Sequence, residues 1–93
     1  MIVGVKAWEL QLAGCRSLKD KRRVIKSLKD RLHARFNVSV AEVDSLDSWQ
    51  RAVLGVAMVG NDGKFLASAL SKVVDHARNF RFAELADYHI EIF

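Results

Sequence analysis

An α+β domain of two β-α-β halves, with two helices on one face of a four-stranded antiparallel sheet, follows from three features of the sequence. Ile2 to Leu12 and Trp49 to Val59 are apolar at both alternating sets of positions, as strands in the middle of a sheet are. Each is followed by turn residues and then by an apolar stripe at helical spacing. Each helix leads in turn to a shorter segment in which polar and apolar residues alternate.

The first strand is rich in β-branched and aromatic residues and closes at Ala13-Gly14. Val3, Val5 and Ala7 alternate with Ile2, Trp8, Leu10 and Leu12, which places it centrally. Ser17, followed three residues later by Asp20, is a capping-box pattern that satisfies free N–H groups at a helix start. Beyond it, Leu18, Val24, Ile25, Leu28, Leu32 and Phe36 fall within an arc of about 120° at 100° per residue, the width of a core-facing stripe. Asn37 ends this helix. Val38 to Val43 is a short strand, and the polar turn Asp44-Ser45-Leu46-Asp47-Ser48 joins it to Trp49–Val59 as a hairpin. Gly60-Asn61-Asp62-Gly63 is turn chemistry, after which Phe65, Leu66, Ala69, Leu70, Val73, Val74, Ala77 and Phe80 line one side of a second helix. Asp87 to Phe93 alternates as a half-exposed last strand.

The order β-α-β-β-α-β, with right-handed crossovers, is the ferredoxin-like sandwich, a single domain over residues 1–93. A trace of duplication agrees with it: His33-Ala34-Arg35 recurs as His76-Ala77-Arg78, and Ala41-Glu42 as Ala83-Glu84.

The net charge of +4 is unevenly placed. Arg16 to Arg35 holds nine Lys or Arg against two Asp, a local +7, while the rest of the chain carries six against nine, or −3. Opposite the apolar stripe of the first helix stand Lys19, Arg22, Arg23, Lys26, Lys29 and His33. A concentrated cationic face with only Asp20 and Asp30 among it suits a polyanion, each phosphate contact releasing counterions without reading sequence. The expectation is a non-enzymatic protein binding ribosomal or other structured RNA. Arg16, Lys19, Arg22, Arg23, Lys26 and Lys29 are its phosphate contacts, and His33 adds charge at lower pH.

No stretch approaches the roughly 18 uncharged apolar residues of a membrane span, and the N-terminal residues lack a basic leader and a small-residue cleavage site. A cytoplasmic protein is expected. Cys15 is the only cysteine, which rules out an internal disulfide and a cysteine zinc cage. His33, His76 and His89 have no metal-ligand spacing. No metal and no cofactor are expected.

Three segments carry a resemblance: Ser17-Leu18-Lys19-Asp20-Lys21-Arg22-Arg23, Arg35-Phe36-Asn37-Val38-Ser39-Val40-Ala41-Glu42-Val43-Asp44 and Trp49-Gln50-Arg51-Ala52. With them the chain resembles the bacterial YlxP-like family, a domain of unknown function, from first strand to last. The resemblance implies a bacterial cytoplasmic protein of ferredoxin-like fold. Genes of that family often lie beside those of transcription, translation-initiation and ribosome-maturation factors, which implies a setting near the ribosome. It supplies no catalytic residues.

Other readings compete. Two helices cover one face of the sheet, so the apolar residues on the other are either buried in a homodimer, through that open face or an edge strand, or turned away by a bulge in the first strand. In that case the basic helix docks an acidic protein partner. Acylphosphatase shares the length and topology, and Gly14, Cys15, Arg16 and Ser17, with Asn61, occupy the places of its phosphate loop and amide; the glycine-rich cradle is missing, so no enzyme is expected. The third strand also lacks the aromatic pattern with which RNA-recognition domains stack bases. Trp8 and Trp49 are the only candidates, and core or interface packing is expected of each.

Overall fold

The computed structural model describes residues 1–93. Its elements run β1 (Ile2–Gln11), α1 (Leu18–Arg35), β2 (Ser39–Asp44), β3 (Arg51–Gly60), α2 (Gly63–Arg78) and β4 (Glu84–Ile92). All pairings are antiparallel and the sheet order is β2-β3-β1-β4. The two strands apolar on both faces are therefore the central ones, and the fold is the ferredoxin-like α+β sandwich.

Alternation along the central strands decides which side chains meet the helices. Gly4, Lys6, Trp8 and Leu10 of β1 lie opposite Met58, Val56, Leu54 and Ala52 of β3, and all eight are buried. Over them pack Ile25, Leu28 and Leu32 of α1 and Leu66, Leu70, Val73, Val74 and Ala77 of α2. Each fully buried leucine contributes roughly 1.5–3 kcal/mol. Leu18, Val24 and Phe36 of the predicted α1 stripe are half-buried at its margin. Gly4 marks the closest approach of α2: a Cβ there would stand 2.6 Å from Leu70 Cδ1.

Both helices begin where their caps require. Ser17 Oγ accepts from the Asp20 N–H (3.1 Å), and the Asp20 carboxylate accepts from the Arg16 N–H (3.0 Å). Asp62 caps α2, accepting from the N–H groups of Lys64 and Phe65. At the other end α1 stops at Arg35, with Phe36 already extended.

β4 starts three residues earlier than the alternation of Asp87–Phe93 suggests. Pairing jumps from Glu9↔Asp87 to Leu10↔Leu85, so Ala86 is an extra residue that breaks the pattern. The expected alternative of a bulge within β1 is corrected here: β1 runs in unbroken register with β3 from Ile2 to Gln11, and the irregularities fall on the edge strands. Val3, Val5 and Ala7 consequently share the helix-free face with Val53, Gly55, Ala57 and Val59. A second bulge brings Val43 of β2 across Gly55.

Candidate nucleic-acid interface

The run Lys19–Arg23 does not all face one way. Lys21 is three residues after Leu18 and four before Ile25, which puts it on the core stripe, and its side chain is 1% exposed. Its ammonium ion-pairs with the Glu42 carboxylate at 2.5 Å and donates to the Ser45 carbonyl at 2.7 Å. The local positive charge on the surface is smaller by one than the sequence sum, and that one charge joins α1 to β2 and the β2–β3 loop.

The other cations of α1, and Arg16 just before its cap, are solvent-facing. Arg16, Lys19, Arg22, Arg23, Lys26 and His33 are exposed and Lys29 is half-buried. Arg22, Lys26, Lys29 and His33 come together along a shallow groove of about 480 Å³, whose floor is Ile25 and whose far wall is Glu42 of β2. Arg23 turns to the opposite flank, where Lys26 and Arg31 stand with it. Arg16 and Lys19 sit at the N-terminal end, outside both grooves. Thus four of the seven residues singled out from the sequence form one continuous surface, with Lys26 on the ridge between two.

One of these cations is paired. Lys26 Nζ donates to Asp30 at 2.8 Å on the exposed ridge, which raises the lysine pKa and lowers that of the aspartate. Such an exposed i,i+4 pair is weak and opens readily. Arg31 and Arg35, unassigned by the helical arc, add exposed charge on the flank, Arg31 lying over the Phe80 ring. Desolvation and these two arginines push the His76 pKa down; its ring meets Phe36 edge-on.

The β2–β3 loop is braced against this end of α1. Ser45 has φ 58, a left-handed conformation uncommon for a residue with a Cβ. Besides Lys21, Arg51 holds it by donating to Ser45 Oγ at 2.8 Å, Asp44 accepts from its N–H at 2.7 Å, and its carbonyl also accepts from Ser48 N–H at 3.1 Å. Arg51 is in turn fixed by Glu9 at 2.8 Å. Beyond Ser45 the loop holds Leu46 (58% exposed) and Trp49 (52%) in water. The two tryptophans therefore part company: Trp8 is fully buried, as expected, whereas Trp49 packs in no core.

A second buried lysine lies outside this surface. Lys6 of β1 has no exposed surface and no hydrogen-bond partner; its ammonium sits 4.9 Å from the Tyr88 ring centroid, beneath the last turns of α2. Desolvation, opposed by Asp75 and assisted by Arg78, brings its pKa down to about 8. Alternation with Trp8 and Leu10 sets Lys6 on the helix-facing side of β1 despite its charge.

No helix is long and apolar enough to cross a membrane. The chain is 32% identical over 79 residues to "Uncharacterized protein YlxP" of Bacillus subtilis (strain 168), covering 85% of this chain and 86% of that protein. Residues 3–90 match the family described as "Protein of unknown function (DUF503)". That match spans every strand and both helices, including the basic helix and the braced loop, and the chain belongs to the DUF503, or YlxP-like, family.

Proposed function

We propose that this is a non-enzymatic, cytoplasmic bacterial protein that binds structured RNA, ribosomal RNA among the candidates, in ribosome assembly or translation. One observation carries the reading. Arg22, Lys26, Lys29 and His33 line a single groove, with Lys19 and Arg23 exposed on the same helix and Arg16 exposed just before its cap, and Lys26 alone among these side chains has a carboxylate bonded to it. Phosphates replace water around such cations at little cost, and each contact steepens the salt dependence by roughly 0.7–0.9 in log–log slope. Recognition through this face is nearly sequence-blind.

The test is binding of ribosomal RNA at several salt concentrations, beside a variant carrying Arg22→Glu, Lys26→Glu and Lys29→Glu. Steep salt dependence in the wild type and lost binding in a folded variant support the reading. Absence of binding by the wild type at low salt overturns it, and pull-downs for an acidic protein partner then take its place.

The open sheet face favours a second, compatible reading, a homodimer. Val3, Val5, Val53, Ala57 and Val59 form an apolar surface that neither helix covers, and Val59 is 61% exposed. Light scattering that gives a monomer mass at high concentration overturns it.

A further inference from the structure

We propose that Trp49 is a stacking platform for an unpaired nucleobase, so that the RNA bound has a single-stranded or looped segment next to its phosphate contacts. This rests on the reading of α1 as an RNA interface and adds a substrate class to it.

The argument begins with what holds the loop. A large apolar side chain in water gains nothing by being held still, yet the segment carrying Leu46 and Trp49 is fixed from both sides. Its leading residue, Ser45, is kept in a left-handed conformation by Lys21, Arg51 and Asp44, and Gln50 is fixed by its carbonyl accepting from the Leu12 N–H at 2.8 Å. Strain of this sort persists only where the surroundings over-determine it, and it gathers at sites that must present a group in a set geometry. The buried ammonium of Lys21 has a second consequence. It links the loop to the turn of α1 that carries Lys19, Arg22 and Arg23 on its outer surface. The loop that carries the exposed indole is therefore tied, at Ser45, to the first turns of the cationic helix.

Chemistry then selects the occupant. Cations alone hold any polyanion. A half-exposed tryptophan on the loop tied to that helix adds a flat π surface on which every base can stack, the combination used by single-strand binders. A paired base inside an A-form helix offers no such face, because it is already stacked on both sides. The two nearby aspartates, Asp44, which accepts from the Ser45 N–H, and Asp47, are both exposed carboxylates that phosphates must avoid.

The two tryptophans make the test direct, since Trp8 is fully buried and Trp49 half-exposed. The probes are a single-stranded RNA of about a dozen nucleotides and a blunt duplex of the same sequence. The protein is compared with Trp49→Ala and Trp49→Phe by fluorescence and by affinity at low salt. Expected are quenching of the exposed indole by the single strand, a roughly tenfold loss in Trp49→Ala, substantial rescue in Trp49→Phe, and unchanged duplex binding; blue-shifted Trp8 emission confirms that the variants are folded. If both RNAs bind with full affinity to Trp49→Ala and quench nothing, the platform is overturned while α1 stands as the interface. If neither RNA binds the wild type, the RNA reading falls as well, and the exposed loop is a protein contact.

Discussion

Lys21 of α1 and Glu42 of β2 form an ion pair in which the lysine is almost wholly buried and the glutamate mostly so, at 1% and 20% exposure. The pair sits where the first crossover returns to the sheet, and the same ammonium reaches the Ser45 carbonyl. Removing one member of a buried pair strands the other charge, which costs more than the pair itself contributes. Lys21→Ala is expected to lose about 3 kcal/mol in urea unfolding. Glu42→Gln should lose less, since Lys21 keeps its bond to Ser45. Hydrogen exchange at the amide of Ser48 should quicken in Lys21→Ala, because the carbonyl it donates to is no longer anchored.

Lys6 predicts a pH dependence of stability. Its folded pKa of about 8 lies below the ordinary 10.5, so between these values the unfolded chain binds more protons than the folded one. Stability contributed by this group therefore rises with pH across that window, and below pH 8 the desolvation penalty is present in full. At neutral pH the shift corresponds to a penalty of about 3 kcal/mol. Lys6→Met removes the charge in a volume of similar shape and should be more stable than the wild type by up to that amount, with the gain vanishing toward pH 10.5. Burial pushes the Cys15 thiol up and works in the opposite sense above pH 9, so the difference between the two proteins, followed by urea denaturation at several pH values, is the quantity that reports Lys6. An equal gain at every pH would refute the assignment.

Asp30 is expected to restrain polyanion binding. It holds Lys26 at 2.8 Å on the exposed ridge of α1. Asp30→Asn frees the ammonium and removes a negative charge from between two cationic grooves, so RNA affinity at low salt should rise several-fold and fall more steeply with salt. Folding stability should change by less than about 0.5 kcal/mol, as exposed i,i+4 pairs do. Unchanged affinity would place the phosphate contacts elsewhere on the helix.

Gly4 should not tolerate a side chain. Its Cβ position stands 2.6 Å from Leu70 Cδ1 and 3.2 Å from Ile92 Cδ1, side-chain tips that can yield to a methyl but not to more. Gly4→Ala is expected to be mildly destabilising and Gly4→Val to cost about 1–3 kcal/mol by forcing α2 off the sheet. Thermal unfolding of the two variants distinguishes this graded response from a merely local effect on strand propensity, which would favour valine.

The sequence by itself determined the element order, the central places of β1 and β3, and the helix starts, because alternation, helical period and cap residues are local signals that the final packing reinforced. It also placed Arg22, Lys26, Lys29 and His33 on one outer face, since helical geometry is the same wherever the helix lies. Only the tertiary structure decided the fate of Lys21, Lys6 and Trp49. A lysine among lysines was assigned to no face, although its spacing from Leu18 and Ile25 held the signal; what buries it is Glu42, twenty-one residues away in sequence and 2.5 Å away in space. Lys6 lies inside because strict alternation in β1 leaves its side chain no other face than the one beneath α2. Trp49 lies outside because the sheet closes at Arg51, two residues short of including it, and the bonds around Ser45 and Gln50 hold the loop in water. Each of these outcomes depends on partners distant in the chain, and local pattern carries no record of which distant group will arrive.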